Sequence, residues 1–211
     1  MSPHRPPETR ARILTEAMRL FGENGFAATR VADIERAAGL AQGAGGIYRH
    51  FRSKAEVLAE GVAWQLTRAE DLHARLEADA SSGRSSGDAV AGLVVAALAT
   101  LDGEGDLNRL IVRDLRLFPD LLEQVREREL RRITEVAGAW FAQKSAAGDD
   151  RDWVAVATVL TGAVAHYWLL RDVFVSHPSG VAEPRFVEAV SGIVTGLLAD
   201  TTDAVTVGGA R

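Results

Sequence analysis

Apolar residues recur at the spacing of an α-helix along almost the whole chain, and this periodicity restricts the fold more than any other feature. The first stretch shows it clearly, because Ile13, Ala17, Leu20 and Phe21 share one face of a predicted helix. No segment alternates polar and apolar residues as a half-buried strand does. We therefore predict an all-α fold of about nine helices, at residues 8–23, 30–38, 43–50, 53–78, 88–101, 106–117, 119–145, 151–174 and 184–199.

The residue types that build catalytic and metal sites are absent or scattered. The chain has no cysteine, and its five histidines lie at positions 4, 50, 73, 166 and 177. No H-E-x-x-H or G-x-S-x-G motif occurs. We therefore expect a protein that is not an enzyme and that needs no metal or cofactor. The first ten residues lack the apolar stretch of a secretory signal, and we expect a cytoplasmic protein.

Charge divides the chain into two parts. Residues 1–60 hold nine Lys and Arg against seven Asp and Glu, whereas residues 61–211 hold fifteen against twenty-two. A small, slightly basic head on a larger acidic body suits a DNA-reading domain carried by a second domain. We predict a head at 1–52, a larger helical domain at 53–200 and a disordered tail at 201–211.

Residues 9–63 contain the parts of a helix-turn-helix, in which one helix lies across the DNA backbone and the next enters the major groove. Gly39 permits the tight turn between the two helices. Tyr48, Arg49 and His50 cluster at the end of the second of them, where cationic and hydrogen-bonding groups can reach DNA. The sequence therefore predicts a DNA-binding head.

Four motifs in this segment carry a family resemblance. They are R-x-x-I-L-x-x-A at 10–17, LFGENGFAAT at 20–29, VADIERAAG at 31–39 and IYRHFRSKAEVL at 47–58. Together they cover about 50 residues, roughly a quarter of the chain, and the sequence resembles the TetR family of bacterial regulators on them. The segment between the turn glycine and the tyrosine contains AQGAGG, which looks like a glycine-rich insertion of about two residues relative to the family.

The resemblance implies which side chains contact DNA. By position, these are Thr29, Arg30, Gln42, Ala44, Tyr48, Arg49, His50 and Lys54. Thr29, Arg30 and Lys54 are expected on phosphates, and Gln42 and Ala44 are expected near base edges. The glycine-rich insertion bears on the base contacts, because it lengthens the turn or loosens the first turn of the recognition helix.

The resemblance also implies that the domain at 53–200 binds a ligand and forms a homodimer. Two late helices carry small residues at helical spacing, which lets helices pack closely. These predicted dimerisation residues are Ala155, Thr158, Gly162, Ala165, Ala189, Gly192 and Gly196. The alternative is that both faces of these helices are buried within one subunit.

A ligand pocket is expected among aromatic and polar residues of the middle helices. The candidates are Trp64, Leu98, Arg113, Trp140, His166, Tyr167 and Arg171. Each aromatic could equally fill the core, and Arg113 could pair with Asp114, with Asp172 or with an anionic ligand.

Residues 153–170 contain no Asp, Glu, Lys or Arg, which is close to the lower limit for a membrane-spanning helix. Thr158, Thr161, His166 and Tyr167 make the segment polar for such a helix. Without a second candidate span in the sequence, we interpret the segment as a buried interface helix and expect no membrane partner.

The resemblance implies a DNA-binding transcriptional repressor that a small, largely apolar molecule releases from a palindromic double-stranded operator. The alternative function is an apolar-ligand binding module whose DNA head has degenerated.

Overall fold

The computed structural model describes residues 8–40, 46–80, 86–145 and 149–207. Within these ranges the chain is helical and contains no β-strand. The α-helices are α1 (Glu8–Asn24), α2 (Val31–Ala37), α3 (Lys54–Ala80), α4 (Ser86–Gly103), α5 (Gly105–Arg113), α6 (Pro119–Val125), α7 (Arg132–Lys144), α8 (Trp153–Phe174) and α9 (Glu183–Val207). The prediction of an all-α fold with about nine helices is confirmed.

The third predicted helix, at 43–50, differs from the structure. Its described part is a single 3₁₀ turn at Ile47–Arg49, which we call the recognition turn. Residues 41–45 lie outside the described residues. Gly46, the described residue directly before the turn, disfavours a regular helix, because a glycine costs about 1 kcal/mol relative to alanine.

The helix predicted as one rod at 119–145 consists of three segments. A π-helical stretch, Arg126–Arg131, connects α6 to α7. None of its six residues is buried, so no core contact holds this stretch in α-helical geometry.

The last helix is longer than predicted. The sequence suggested an end near residue 199 and a disordered tail at 201–211, whereas α9 continues to Val207. Between Gly196 and Gly208 the sequence has neither glycine nor proline, so no helix-breaking residue stops α9 earlier. Residues 208–211 lie outside the described residues.

The chain divides into two compact units. The first unit consists of residues 1–68 and 104–128, and the second consists of residues 69–103 and 129–211. The head therefore packs as one body with α5 and α6, which follow it by about forty residues in sequence.

The core of the first unit joins α1, α2, α3 and α5. Its fully buried side chains include Ile13, Phe21, Ile34, Leu58 and Leu110. Burying each such side chain stabilises the unit by about 1.5–3 kcal/mol.

Helices α1 and α5 meet closely at Gly22. A Cβ atom at this position would lie 2.5 Å from Oδ1 and 2.7 Å from Cα of Asp106. Burial at this contact raises the pKa of the Asp106 carboxyl, and the nearby Arg109 guanidinium offsets part of that rise. Only a glycine lets the two helices approach this far.

The second unit packs α4, α7, α8 and α9 around a core rich in aromatic residues. One aromatic group centres on Phe141. Its ring centroid lies 5.3 Å from that of Trp140 and 6.0 Å from that of Trp153. Tyr167 stacks between His177 and Phe186, at 4.7 and 4.1 Å.

Two helices of the second unit are long and apolar enough to cross a membrane by length and composition alone, namely Ser86–Gly103 and Trp153–Phe174. The expectation that the sequence holds no second candidate is therefore wrong. Both helices contribute buried residues to the core of the second unit, including Val94 and Leu98 on the first and Ala157 and Val164 on the other.

Candidate nucleic-acid interface

The loop between α1 and α2 is held in place by hydrogen bonds to its backbone. Gly25 ends α1 with a φ of +90°, a conformation that glycine adopts without strain. Lys54, at the start of α3, donates from Nζ to the carbonyls of Phe26 and Thr29 at 2.7 and 2.8 Å. Its ammonium also lies 4.3 Å from the centre of the Phe26 ring. The predicted phosphate ligand Lys54 thus also fixes the loop that leads into α2.

Thr29 is placed differently from its prediction. Its side chain is only 3% exposed, and Oγ1 donates to the carbonyls of Gly25 and Leu20 at 2.7 and 3.1 Å. The hydroxyl is therefore buried and engaged within the head, and its predicted contact with phosphate needs correction. Arg30, the next residue, is exposed at the start of α2.

The turn after α2 depends on Gly39, whose φ is +67°. Arg12 of α1 donates from Nε to the Ala38 carbonyl at 2.7 Å, which satisfies a free acceptor at the end of α2. These contacts fix where the chain leaves α2 towards the recognition turn.

Glu35 is a site residue that the sequence analysis missed. It is 3% exposed, and its Oε1 accepts a hydrogen bond from the backbone N–H of Ile47 at 3.1 Å. This bond joins α2 directly to the recognition turn. Helical spacing could have revealed it, because Glu35 shares the buried face of α2 with Ile34 and Ala38.

Arg10 holds the recognition turn from the other side. It donates from Nη1 to the His50 carbonyl at 2.7 Å and from Nε to Glu60 on α3 at 3.2 Å. Its guanidinium also lies 4.4 Å from the centre of the Phe51 ring, which is itself buried. The recognition turn is therefore bonded to α2 through Glu35, and the residue that follows it is bonded to α1 through Arg10, which itself pairs with Glu60 of α3.

The outer face of this turn carries the polar side chains expected to reach DNA. Tyr48 is 58% exposed, Arg49 and Arg52 are exposed, and His50 is half-buried. Ser53 begins α3, where its Oγ accepts from the Glu56 N–H at 3.1 Å. Gln42 and Ala44, the residues predicted nearest the bases, lie outside the described residues.

Comparison with known proteins identifies this head. Residues 13–60 match the family described as bacterial regulatory proteins, tetR family. Over 70 residues, the chain is 39% identical to the curated HTH-type transcriptional regulator AcrR of Shigella flexneri. The head of this chain is thus similar to the DNA-binding segment of TetR-family regulators. A second curated relative, the HTH-type transcriptional regulator TtgR of Pseudomonas putida, is 49% identical over 51 residues.

The sequence similarity is confined to the head. The AcrR match covers 33% of this chain and 31% of AcrR, and the TtgR match covers 24% and 23%. The chain therefore matches about a third or less of the length of these curated relatives.

The fold similarity to TetR-family structures extends over most of the chain. A crystal structure from Mesorhizobium loti described as a TetR-family regulator has a TM-score of 0.71, with 18% identity, over 90% of this chain and 95% of that one. A TetR/AcrR-family regulator from Thermobifida fusca has a TM-score of 0.59 and 25% identity, over 97% and 100%.

The residues predicted for a TetR-type ligand pocket are distributed over both units. In the first, Trp64 is half-buried beside the core. Arg113 donates from Nη2 to the carbonyls of Phe21 and Gly22 at 2.6 and 3.1 Å, and from Nε to Asp114 at 2.9 Å. The pairing of Arg113 with Asp114, one of the predicted alternatives, is thus the one observed.

The other five candidates lie in the second unit. Leu98, Trp140 and Tyr167 are buried, and His166 is exposed. Arg171 lies between Asp102 and Glu183, with N–O distances of 2.6 and 2.5 Å. An ion pair on each side of Arg171 favours a structural role for its guanidinium.

The predicted dimerisation residues share one surface property. All seven of them, on α8 and α9, are exposed. Large apolar side chains accompany them, since Val159 is 71% exposed and Ile193 is 59% exposed. An isolated chain would leave this apolar face in water, which is unfavourable.

Proposed function

We propose that this chain is a DNA-binding transcriptional regulator, a homodimeric repressor that a small, largely apolar molecule releases from a palindromic operator. The observation that carries the proposal is the recognition turn within the TetR-family match, with Tyr48, Arg49 and Arg52 exposed on a frame that Arg10 and Glu35 fix. A rigid frame that presents cationic and hydrogen-bonding groups is what base and phosphate contacts require.

The first experiment is selection of bound sequences from a library of random DNA duplexes by the full-length protein at physiological salt. A palindrome with half-sites about one helical turn apart, roughly 34–36 Å, is expected for a dimer. Failure to enrich any sequence, with binding that depends only on salt, would contradict the proposal.

Two variants separate reading from positioning. Arg49→Ala should leave thermal stability unchanged, because the side chain is exposed, and should weaken operator binding by about 1–3 kcal/mol if Arg49 contacts a base. Lys54→Ala should lower both operator affinity and thermal stability, because Lys54 also holds the loop before α2. If only the Arg49→Ala variant lost stability, Arg49 would be the residue that holds the head together and Lys54 would not, which contradicts this assignment.

The dimer is proposed to form through the exposed face of α8 and α9. Ile193→Asp places a charge in this face and should shift the protein from dimer to monomer in sedimentation velocity. Val112→Asp is the matched control, because Val112 is equally exposed, at 64%, and lies in the first unit. A shift with both variants, or with the control alone, would contradict this interface.

The effector is proposed to bind within the second unit, close to Trp140. The indole Nε1 of Trp140 is buried without a hydrogen-bond partner, and so is that of Trp153. An apolar molecule with one acceptor atom would satisfy such a donor, whose isolation costs about 1–3 kcal/mol. Release of the selected operator by a compound, and loss of that response in Trp140→Phe, would support this site.

The alternative function is a ligand-binding module with a degenerate head. The observation that favours it is the recognition turn itself, because its described part is a 3₁₀ turn and not a helix. Ligand binding without sequence-specific DNA binding would favour this alternative. For location we propose the cytoplasm, since α4 and α8 each bury part of their surface in the core of the second unit.

A further inference from the structure

A groove runs along the surface of the second unit between α4 and α9. Its volume is about 670 Å³, and it is a wide opening at the surface, not an enclosed cavity. Its apolar lining is Gly87, Ala91 and Val95 from α4 and Pro184, Val187 and Gly192 from α9. It contains none of the residues predicted for the effector pocket, but it includes Gly192, one of the predicted dimerisation residues.

The two hydroxyl groups in the groove are already engaged. Ser191 donates from Oγ to the Val187 carbonyl at 2.8 Å, and Thr195 donates from Oγ1 to the Ser191 carbonyl at 2.7 Å. The hydroxyls therefore turn towards the backbone of their own helix. The groove surface offers carbon atoms almost throughout, so an occupant gains by burying apolar surface and not by hydrogen bonding.

The ionisable groups that line the groove are two carboxylates. Glu183 is paired with Arg171, at 2.5 Å. Glu188 is exposed and forms no ion pair with any residue in the described ranges. One carboxylate of the groove thus has no ion-pair partner among the described residues.

We propose that this groove binds an elongated apolar molecule with a cationic end. The apolar chain lies between α4 and α9, and the cationic end lies at Glu188. A molecule with an anionic end is disfavoured, because it would bring a like charge to the Glu188 carboxylate. This site goes beyond the proposed function, since it requires neither DNA nor an effector near Trp140.

The test uses three probes with the same ten-carbon chain, namely decylammonium, decanol and decanoate, below their aggregation concentrations. Binding to the full-length protein is measured by titration calorimetry without DNA. Decylammonium should bind most tightly and decanoate least. Equal or tighter binding of decanoate, or no binding of any probe, would overturn the proposal.

Variants then locate the site. Glu188→Gln should reduce the preference for decylammonium over decanol by about two- to fivefold, the range of an exposed charge pair. Asp150→Asn is the control, because it removes an exposed carboxylate of the same unit that does not line the groove. An unchanged preference in Glu188→Gln, or an equal loss in the control, would contradict the assignment.

Ala91→Leu should block the groove and weaken binding of all three probes, with circular dichroism as the check on folding. If this variant does not fold, Glu188→Gln and its control still decide the question. Because Gly192 also belongs to the proposed dimer face, the titrations are repeated with Ile193→Asp, the variant expected to be a monomer. Probe binding by that variant but not by the parent protein would show that a second copy covers the groove, and would overturn the proposal. Because DNA is absent throughout, failure of the protein to bind DNA would leave these results unaffected.

Discussion

Replacing Gly22 by alanine should destabilise the protein, although alanine is the better helix former. In the interior of α1 the change alone would gain about 1 kcal/mol. The new Cβ, however, would lie 2.7 Å from the Cα of Asp106, a backbone atom that no side-chain rotation can move away. Helix α1 or α5 must shift, and overpacking of this kind costs about 1–3 kcal/mol. We expect a net loss of up to about 2 kcal/mol.

Thermal unfolding of a matched series checks this reasoning. A loss of 1 kcal/mol lowers the Tm of a protein of this size by about 2–4 °C. Gly61→Ala should cost less, because its Cβ would meet the Met18 side chain, which can move. Gly103→Ala is the control, because no atom lies within 4 Å of its new Cβ. If Gly22→Ala were as stable as Gly103→Ala, the close contact of α1 and α5 would be refuted.

Three further predictions concern single side chains. Glu35→Ala should lower operator affinity and cost about 1–3 kcal/mol of stability, because the buried Ile47 N–H loses its acceptor; unchanged chemical unfolding would contradict this. The pKa of Asp106 is raised in the folded protein, so the folded state favours the protonated carboxyl. The stability that comes from this protonated form is present in full below the pKa of the unfolded chain, and it is lost as pH rises through the folded pKa. Asp106→Asn should therefore be more stable than the parent at pH 7 but not below pH 3.8, the ordinary value, as measured by unfolding at both pH values. Val175→Gly should stabilise the protein by about 1–2 kcal/mol, because a β-branched residue has a φ of +65° there and is 92% exposed; a lower Tm would refute that account.

Helical periodicity was enough to predict most of the fold. The predicted helix at 8–23 matches α1, and that at 151–174 matches α8 closely, because each has a clear apolar face and a clear boundary. Periodicity could not reveal the π-helical stretch at Arg126–Arg131, since the charged residues there carry no packing signal. It also could not show that α5 packs with the head, because that depends on contacts distant in sequence.

The sequence was enough to predict where the candidate site lies, but not which contacts each of its side chains makes. The motifs placed Tyr48 and Arg49 on the surface of the head, where the structure has them. They also suggested phosphate contacts for Thr29, whose hydroxyl is buried within the head, and for Lys54, whose ammonium also bonds to backbone carbonyls of the loop before α2. A sequence motif shows which residue type occurs at a position. It does not show whether that side chain contacts DNA or holds the loop between α1 and α2.

The packing of α5 and α6 with the head has a consequence for how such proteins can be recombined. The buried side chains of Leu107, Leu110 and Leu115 belong to the same core as Phe21 and Ile34. A head cut out at residue 52 or 68 would lose these three side chains and expose the apolar surface that they cover. If heads were exchanged between relatives at a single junction, the new head would meet α5 and α6 residues that belong to a different core. A transplanted head should therefore fold well only if residues 104–128 are transferred with it.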